Sequence, residues 1–485
     1  MMGELRNPLL IIILLISLVV GSSHFTRGHE WGDDFASYIM QAKSIVNGDM
    51  QDFVEHNSIT IYQSSSQIGP VAYPWGYPLI LAPIYAIRGI SPLGLKLPGL
   101  FFFLGFLICF YLLIRTRLTQ SESLLLVSVF AFNPVMLQFL DQILSDIPFL
   151  FFSTLALFLM IIEKRQNTLD YVFLGVVITF AFFIRTTGIL LLASFVTVEI
   201  LRLRMDRTNR ELTIHILQNI FIACLTFGVL WLIYAFIFPG GSESYLDQLN
   251  GFNIQTALGF INEYFQLFGA FFGQTIIWKI LYYLLFLFFL IGLWLRRKND
   301  FVLIVFFSLW VLMLIIWPIW QGPRFIFPLL PIFIYFTFQG MKSAIQKLPE
   351  TYQQAGRQIL YGFWLLIAVV FLFNSSVTAY GNVRNSRSIN GPFDPYSIQV
   401  YDYIKEKTPS DSVIVFFKPR AMRLMTDRDT IMSMECDRMS LGDYIVLSRK
   451  VDENQQIPPE EIGACNLPLD EVFRNRRFII YENLK

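Results

Sequence analysis

Three carboxylates crowd the short segment His29-Glu30-Trp31-Gly32-Asp33-Asp34, which follows an apolar run. Acids packed this closely suit two kinds of chemistry. One can take the proton of an attacking hydroxyl or amine, or several can share a hard divalent cation. A further carboxylate, Asp146 in QILSDIPFLFF, opens another apolar run. Side chains able to hold an anionic leaving group are Arg324, flanked by Pro323 and Phe325, with Arg185, Arg88 and Lys96 as further candidates. Adjacent like charges raise the pKa of one acid, whereas a helix N-terminus lowers it. Asp34 is the first choice for a base with Asp33 beside it, and which of these two effects wins is not written in the sequence.

The plain structural reading of each group is set beside this. One of Asp33 and Asp34 can be a helix N-cap and the other a first-turn acid, together worth about 1–2 kcal/mol. Capping uses one carboxylate, however, and leaves Glu30 and Trp31 without a role. Asp146 also has the position of a capping acid, and Arg324 that of an arginine reaching for the membrane interface. A metal held by Asp33, Asp34 and Asp146 would need three scattered acids to converge.

The elements that must position these groups follow from periodicity. Phe35, Tyr38, Ile39, Ala42, Ile45 and Val46 recur at helical spacing, and Asn47-Gly48 supplies a stop. The spacing predicts a short amphipathic helix lying along a membrane surface. Downstream, AYPWGYPLILAP (Ala72–Pro83) combines Tyr73, Tyr77 and Trp75 with three prolines. It reads either as an interfacial aromatic belt or as a rigid ledge beneath a cavity.

The whole chain is built for lipid. Of 485 residues, 55% are hydrophobic and 15% charged, against about 25% charged in soluble domains. A net charge of +1 leaves no basic excess for nucleic acid. Eleven apolar runs approach the length of a bilayer crossing: Leu9–Gly21, Leu97–Ile114, Leu124–Leu140, Ile147–Ile162, Tyr171–Ile184, Ile189–Leu201, Ile214–Phe238, Ile276–Leu295, Phe301–Ile316, Phe325–Phe338 and Leu360–Phe373. The first is read as an uncleaved span rather than a signal peptide, because its n-region is thin.

Lys and Arg gather at alternate connections: Arg6; Arg115 and Arg117; Lys164 and Arg165; Arg202, Arg204, Arg207 and Arg210; Arg296, Arg297 and Lys298; Lys342, Lys347 and Arg357. The positive-inside rule then puts the N-terminus in the cytoplasm of a multi-pass cell membrane. It puts the acid-rich loop 22–96 and the C-terminal part outside. The expected division is a membrane domain over 1–378 and a small outer α/β domain over 379–485. In the latter, YSIQVYDYIKEK has helical spacing and DSVIVFF, DYIVLS and RRFIIYE are β-rich. Cys436 and Cys465 fall in that outer part, where a disulfide is chemically permitted and two free thiols are the alternative.

These motifs, in this order and sidedness, resemble the GT-C glycosyltransferases of the family 39 type, which include protein O-mannosyltransferases and lipid A aminoarabinose transferases. The pattern comprises the acidic pair with Asp34-x-x-x-Tyr38, Ala42 and Gly48, the Tyr-Pro ledge, LSDIPF, RTTGILLL (Arg185–Leu192) and GPRFIFPLLP (Gly322–Pro331). The resemblance implies a polyprenyl-phosphate-linked sugar as donor, an extracytoplasmic lipid, glycan or protein as acceptor, and a catalytic carboxylate in the first outer loop. Asp34 matches the leading Asp of the family's Asp-Glu pair, although Phe35 stands where that Glu would be and Asp33 precedes it. With base and leaving group on opposite faces of the sugar, displacement would invert the anomeric centre.

Two other classes fit the composition. A flippase for a lipid-linked intermediate would carry ionisable groups at mid-membrane or broken repeated helices, and these spans are almost free of central charge. A non-catalytic scaffold would use its outer domain for a partner.

Overall fold

The computed structural model describes residues 6–66, 68–162, 167–205, 210–240, 251–449 and 455–485. Every one of the eleven apolar runs falls on helix: Pro8–His24, Pro92–Arg115, Gln120–Ala131, Asp146–Ile161, Thr168–Ile184, Ile189–Met205, Arg210–Ile237, Ile276–Arg296, Phe301–Ile316, Leu330–Gln346 and Glu350–Arg384. Among the described residues, six helices are long and apolar enough to cross a membrane, and five more are apolar but shorter. The helix Arg210–Ile237 presents Leu217, Phe221, Leu225 and Phe236 outward with little cover, as a lipid-facing helix does. The chain is a polytopic helical membrane protein with a small C-terminal sheet. Lys164, Arg165 and Arg207, used above for orientation, lie outside the described residues.

Local chemistry sets the helix ends. Asn7 accepts from the Leu9 amide at 2.9 Å ahead of Pro8, and Thr119 with Glu122 forms a reciprocal capping box. The run Leu124–Leu140, expected as one span, is broken at Asn133-Pro134 into Gln120–Ala131 and Pro134–Phe139. Proline lacks the N–H a continuing helix needs, and it pushes the preceding residue out of α geometry. Asn133 stabilises the break by accepting from the Met136 amide at 3.0 Å and donating to the Phe271 carbonyl at 2.8 Å. On the expected inner side, Asp300 is buried among Arg117, Arg296 and Tyr335, and Lys342 meets Glu122 at 2.7 Å. Part of the positive charge counted there thus neutralises buried acids.

Two segments depart from expectation. The loop 22–96 holds three helices, Asp34–Asn47, Met50–Gln63 and Gly76–Arg88, where one was expected. The connection after residue 239 contains a further helix, Ile254–Ala270. Its Tyr264 ring packs on Trp320 with centroids 4.5 Å apart.

The C-terminal sheet has strands β1 (Val413–Val415), β2 (Asp429–Ile431), β3 (Tyr444–Ser448), β4 (Leu469–Arg474) and β5 (Phe478–Asn483) in the order β2-β1-β3-β5-β4. The first three are mutually parallel, and β5 and β4 join antiparallel. The three expected strands and the helix Pro395–Lys407 are present. Cys436 and Cys465 form a disulfide. The helix Glu350–Arg384 carries the chain continuously from the membrane part past the boundary expected at 378/379.

This sheet module is fastened to the first loop rather than tethered beside it. Trp31 inserts among Phe416, Phe417 and Phe478, with ring centroids 5.8, 5.0 and 6.3 Å away. Lys43 pairs with Asp427 at 2.6 Å and His56 with Asp429 at 2.9 Å. Trp31, which capping left unexplained, is an anchor for the module.

Candidate active site

The acid-loop helix begins at Asp34 and ends at Gly48, whose φ of +80° closes it in the left-handed region. It does not lie exposed on a membrane surface. Phe35, Tyr38, Ile39 and Ala42 are buried, and so are Ser37 and Gln41 on its polar side. The ledge helix Gly76–Arg88 and the helix Pro419–Thr426 of the C-terminal module cover it. Gln41 is satisfied by the backbone of Tyr73, donating at 2.8 Å and accepting at 3.2 Å. The sequence pattern could not anticipate that both faces are covered.

Asp33 and Asp34 point to different partners. Asp33 takes the N-cap position without a side-chain capping bond and instead accepts from the backbone amide of Arg420 at 3.2 Å. Burial pushes its carboxyl up to about 6, against the downward pull of Lys418 and Arg420. Asp34 accepts from the Tyr73 hydroxyl at 2.5 Å and from the Arg324 guanidinium. Burial would raise its pKa, but the charge of Arg324, the bonds from Tyr73 and Arg324 and the charge of Arg420 together hold it below the ordinary aspartate value. Asp34 is therefore an ionised, masked carboxylate.

Around it the charges alternate. Arg324 Nη1 stands 3.7 Å from Asp146 Oδ2, and Arg185 pairs with the other oxygen of Asp146. The Arg185 guanidinium lies 4.2 Å over the Phe325 ring. The Tyr38 hydroxyl meets Ser145 Oγ at 2.9 Å, and its ring packs between Tyr73 and Tyr77 at 4.9 and 5.0 Å. Burial raises the pKa of both the Tyr38 and Tyr73 phenols, so each remains a neutral donor.

The ledge is structural as well as spatial. Trp75 is buried, its backbone N–H bonded to Tyr234 and its indole N–H to the Pro239 carbonyl. A Cβ on Gly76 would lie 2.5 Å from the Phe183 carbonyl. Only glycine lets the ledge approach the end of the helix that presents Arg185. Within Ala72–Pro83, Trp75 and Tyr77 are buried inside the protein, Tyr73 is half-buried and Pro83 is exposed.

Asp34, Tyr38, Tyr73, Arg185 and Arg324 line one pocket of 330 Å³, a size suited to a small polar ligand within the range of about 300–1,000 Å³. Trp317, Ile319, Trp320 and Met313 form its apolar side, and Thr186, Thr187 and Gln321 add polar groups. Thr186 and Thr187 belong to the RTTGILLL motif quoted above, whereas the other five were not singled out, although IIWPIWQGPR carries a visible aromatic signal just before Arg324. Asp146 sits behind the wall, buried against both arginines.

Two candidates belong elsewhere. Lys96 is fully buried and donates to Asp141 at 2.6 Å, to the Gly28 carbonyl at 2.7 Å and to the Thr26 carbonyl at 3.1 Å. It pins the start of the loop to a span instead of meeting a phosphate. Arg88 is exposed at the last turn of the ledge helix, and neither residue lines the pocket. The carboxylates considered as cation ligands do not converge either. Asp34 and Asp146 are neutralised by arginines, Asp33 faces Arg420, and the described residues contain no group of three His, Cys, Asp or Glu able to hold a metal.

Comparison with known proteins agrees with this architecture. A family described as dolichyl-phosphate-mannose-protein mannosyltransferase matches residues 72–235. No curated protein sequence is significantly similar. The structure of ArnT from Cupriavidus metallidurans bound to undecaprenyl phosphate superposes with a TM-score of 0.60 at 12% identity, covering 98% of each chain. The archaeal oligosaccharyltransferase AglB from Archaeoglobus fulgidus, in complex with an inhibitory peptide and a dolichol-phosphate, gives 0.57 at 12% identity over 92% of this chain and 70% of that one. The chain has the GT-C fold of these membrane glycosyltransferases, as its motifs led one to expect.

Proposed function

We propose that the protein is a membrane glycosyltransferase that moves a sugar from a polyprenyl-phosphate donor to an acceptor nucleophile, with Asp34 as the general base. The observation that carries this reading is the pocket itself, where a carboxylate and two arginines meet beside an apolar wall on a fold shared with ArnT and AglB. The lipid carriers named for those two structures motivate the choice of donor.

The ion pair between Arg324 and Asp34 suggests how the base is switched on. Arg324 pairs with Asp34 and neutralises it. An arriving donor phosphate competes for that guanidinium, since arginine binds phosphate and carboxylate oxygens alike. With its partner drawn away, Asp34 becomes a stronger base beside the acceptor. Arg324 and Arg185 then stabilise the additional negative charge on the departing phosphate, where preorganised electrostatics contribute most. Tyr38 and Tyr73 stay protonated as hydrogen-bond donors. The balance is simple: the acceptor's O–H or N–H bond breaks as its atom bonds the anomeric carbon, Asp34 takes the proton, and the polyprenyl phosphate leaves. Attack opposite the leaving phosphate inverts the anomeric centre.

The same reading places the pocket on the non-cytoplasmic side of a cell membrane. The N-terminus is then in the cytoplasm, residues 1–378 form the catalytic membrane part and 379–485 an outer module. The acceptor is a lipid, glycan or protein on that side. The test is release of free undecaprenyl phosphate from a panel of undecaprenyl-phosphate sugars by purified protein with acceptor extract. Absence of release from every donor overturns the reading.

A further inference from the structure

Arg420 is the charged residue that the site described so far does not use. It opens the helix Pro419–Thr426 of the C-terminal module and is completely buried. Its backbone amide donates to Asp33 Oδ1 at 3.2 Å. Its guanidinium donates to the Pro70 carbonyl and, at 3.5 Å, to the Tyr73 hydroxyl. The guanidinium carbon stands 5.3 Å from the Tyr73 ring centroid, and Nε has no hydrogen-bond partner. Among the described residues it makes no direct ion pair with a carboxylate.

Burying a charge without a directly paired counter-charge is strongly unfavourable. Filling space between two packed segments would be cheaper with an apolar side chain, so packing alone is a poor account of this arginine. What distinguishes its place is the next bond outward. The Tyr73 hydroxyl that receives Arg420 is the one that donates to Asp34, and the amide of Arg420 holds the residue immediately before Asp34. Trp31, two residues ahead of Asp33, is gripped by the aromatic cluster of the same module. The C-terminal module therefore holds the acid pair from both sides, although no atom of it lines the pocket.

We propose that Arg420 is a positioning residue through which the C-terminal module holds Asp34 in its working geometry, acting by way of Tyr73 and the Asp33 carboxylate. The proposal rests on Asp34 being the base. Arg420 polarises the Tyr73 hydroxyl and so strengthens its bond to Asp34, and its positive charge favours the ionised carboxylate. Tyr73 can then stay on Asp34 when Arg324 turns to a phosphate, which keeps the base aimed. The outer module is in this sense part of the active site and not an appended domain.

The experiment uses the full-length protein in detergent and three readouts. These are turnover of undecaprenyl-phosphate sugars, binding of undecaprenyl phosphate followed by tryptophan fluorescence, and the pH titration of the infrared carboxyl band that Asp34→Asn removes. Arg420→Gln is expected to lower the turnover rate by roughly 10- to 100-fold, the scale of a slightly misplaced catalytic group. It should leave undecaprenyl phosphate binding within about twofold, because positioning without phosphate contact affects the reaction step and not ground-state affinity. The Asp34 band should titrate at higher pH, and Arg420→Lys should move it back toward the wild-type position. Where Arg420→Gln is not recovered folded, Arg420→Lys and Tyr73→Phe carry the test, the second shifting the band upward by cutting the same link. An unchanged Asp34 titration in Arg420→Gln, or in Tyr73→Phe, overturns the proposal. So does a parallel collapse of binding, stability and rate that Arg420→Lys does not relieve. If the wild type turns over no donor at all, the proposed function fails, and the Asp34 titration still decides whether Arg420 reaches it.

Discussion

Arg324 and Asp34 lie 290 residues apart in the chain and form a direct ion pair at the pocket wall. The pair joins the segment ahead of the helix Leu330–Gln346 to the first turn of the acid-loop helix. Of the two adjacent acids, Asp34 is the one that lines the pocket. Asp33, one residue earlier, is turned toward the C-terminal module. The two acids thus have distinct surroundings, and each can be tested separately.

Asp34→Asn should lower sugar transfer by about 10²- to 10⁴-fold, the usual contribution of a positioned base, with expression and membrane insertion unchanged. Asp33→Asn should keep a substantial part of the activity, because its amide oxygen can still accept from the Arg420 amide and the proton acceptor is untouched. Release of polyprenyl phosphate by the two variants, side by side, measures this. Equal loss in both would mean that the two carboxylates act as one unit.

The pH profile separates them independently. Asp34 is held below the ordinary aspartate range, so kcat/KM should stay level down to mildly acidic pH and fall only below it. A base at Asp33 would instead give an acid limb with a midpoint near 6. For stability the sign is the opposite of the familiar carboxylate case. A folded pKa of about 6 lies above the ordinary 3.8, so the contribution of Asp33 is fully present below 3.8 and is lost as pH rises through about 6. Asp33→Asn should flatten the fall in thermal stability across that window, as melting curves between pH 4 and 7 would record.

Removal of the arginine proposed to hold the donor phosphate should appear in affinity. Arg324→Ala is expected to weaken undecaprenyl phosphate binding by roughly 10- to 100-fold, corresponding to the loss of a charge-assisted contact worth about 1.5–3 kcal/mol. Trp317 and Trp320 line the same pocket, so intrinsic fluorescence provides the titration. Unchanged binding would remove Arg324 from donor recognition and leave it a partner of Asp34 alone.

Much of this arrangement is visible in the sequence, and the remainder has physical reasons for being hidden. Apolar runs mark helices because lipid demands them, and the acid-loop helix shows its spacing and its Gly48 stop. Asp34, Tyr38, Arg185 and Arg324 carried enough local context to be chosen, although their convergence is a tertiary fact. The helix Met50–Gln63 mixes polar and apolar residues as a loop does. Ile254–Ala270 does carry apolar residues at helical spacing, Ala257, Phe260, Tyr264 and Phe268, a signal too short and polar to register as a bilayer span. Lys96 looked like a phosphate ligand because it begins a span near the expected outer face. No local signal reveals that Asp141, distant in sequence, buries it. Arg420 and the anchoring of Trp31 depend wholly on contacts between the two ends of the chain, which no periodicity records.

That revised role for Lys96 makes its own prediction. Lys96→Met should leave Asp141 buried against the Thr26 amide and hydroxyl without its cation, costing about 3–5 kcal/mol. Replacing both partners with apolar residues should restore much of the loss. Undecaprenyl phosphate affinity should not change in the folded double variant. Thermal unfolding of the two single variants and the double variant checks it, and a selective loss of binding would return Lys96 to the donor site.

The central claim, that Asp34 at this pocket takes the acceptor's proton as a sugar leaves its polyprenyl phosphate, is tested most directly by one comparison. Purified wild-type protein and Asp34→Asn are incubated with the same undecaprenyl-phosphate sugars and acceptor extract, and free undecaprenyl phosphate is quantified. Acceptor-dependent release by the wild type, reduced by at least about 100-fold in the folded variant, is the predicted result. Equal release by both proteins would contradict it.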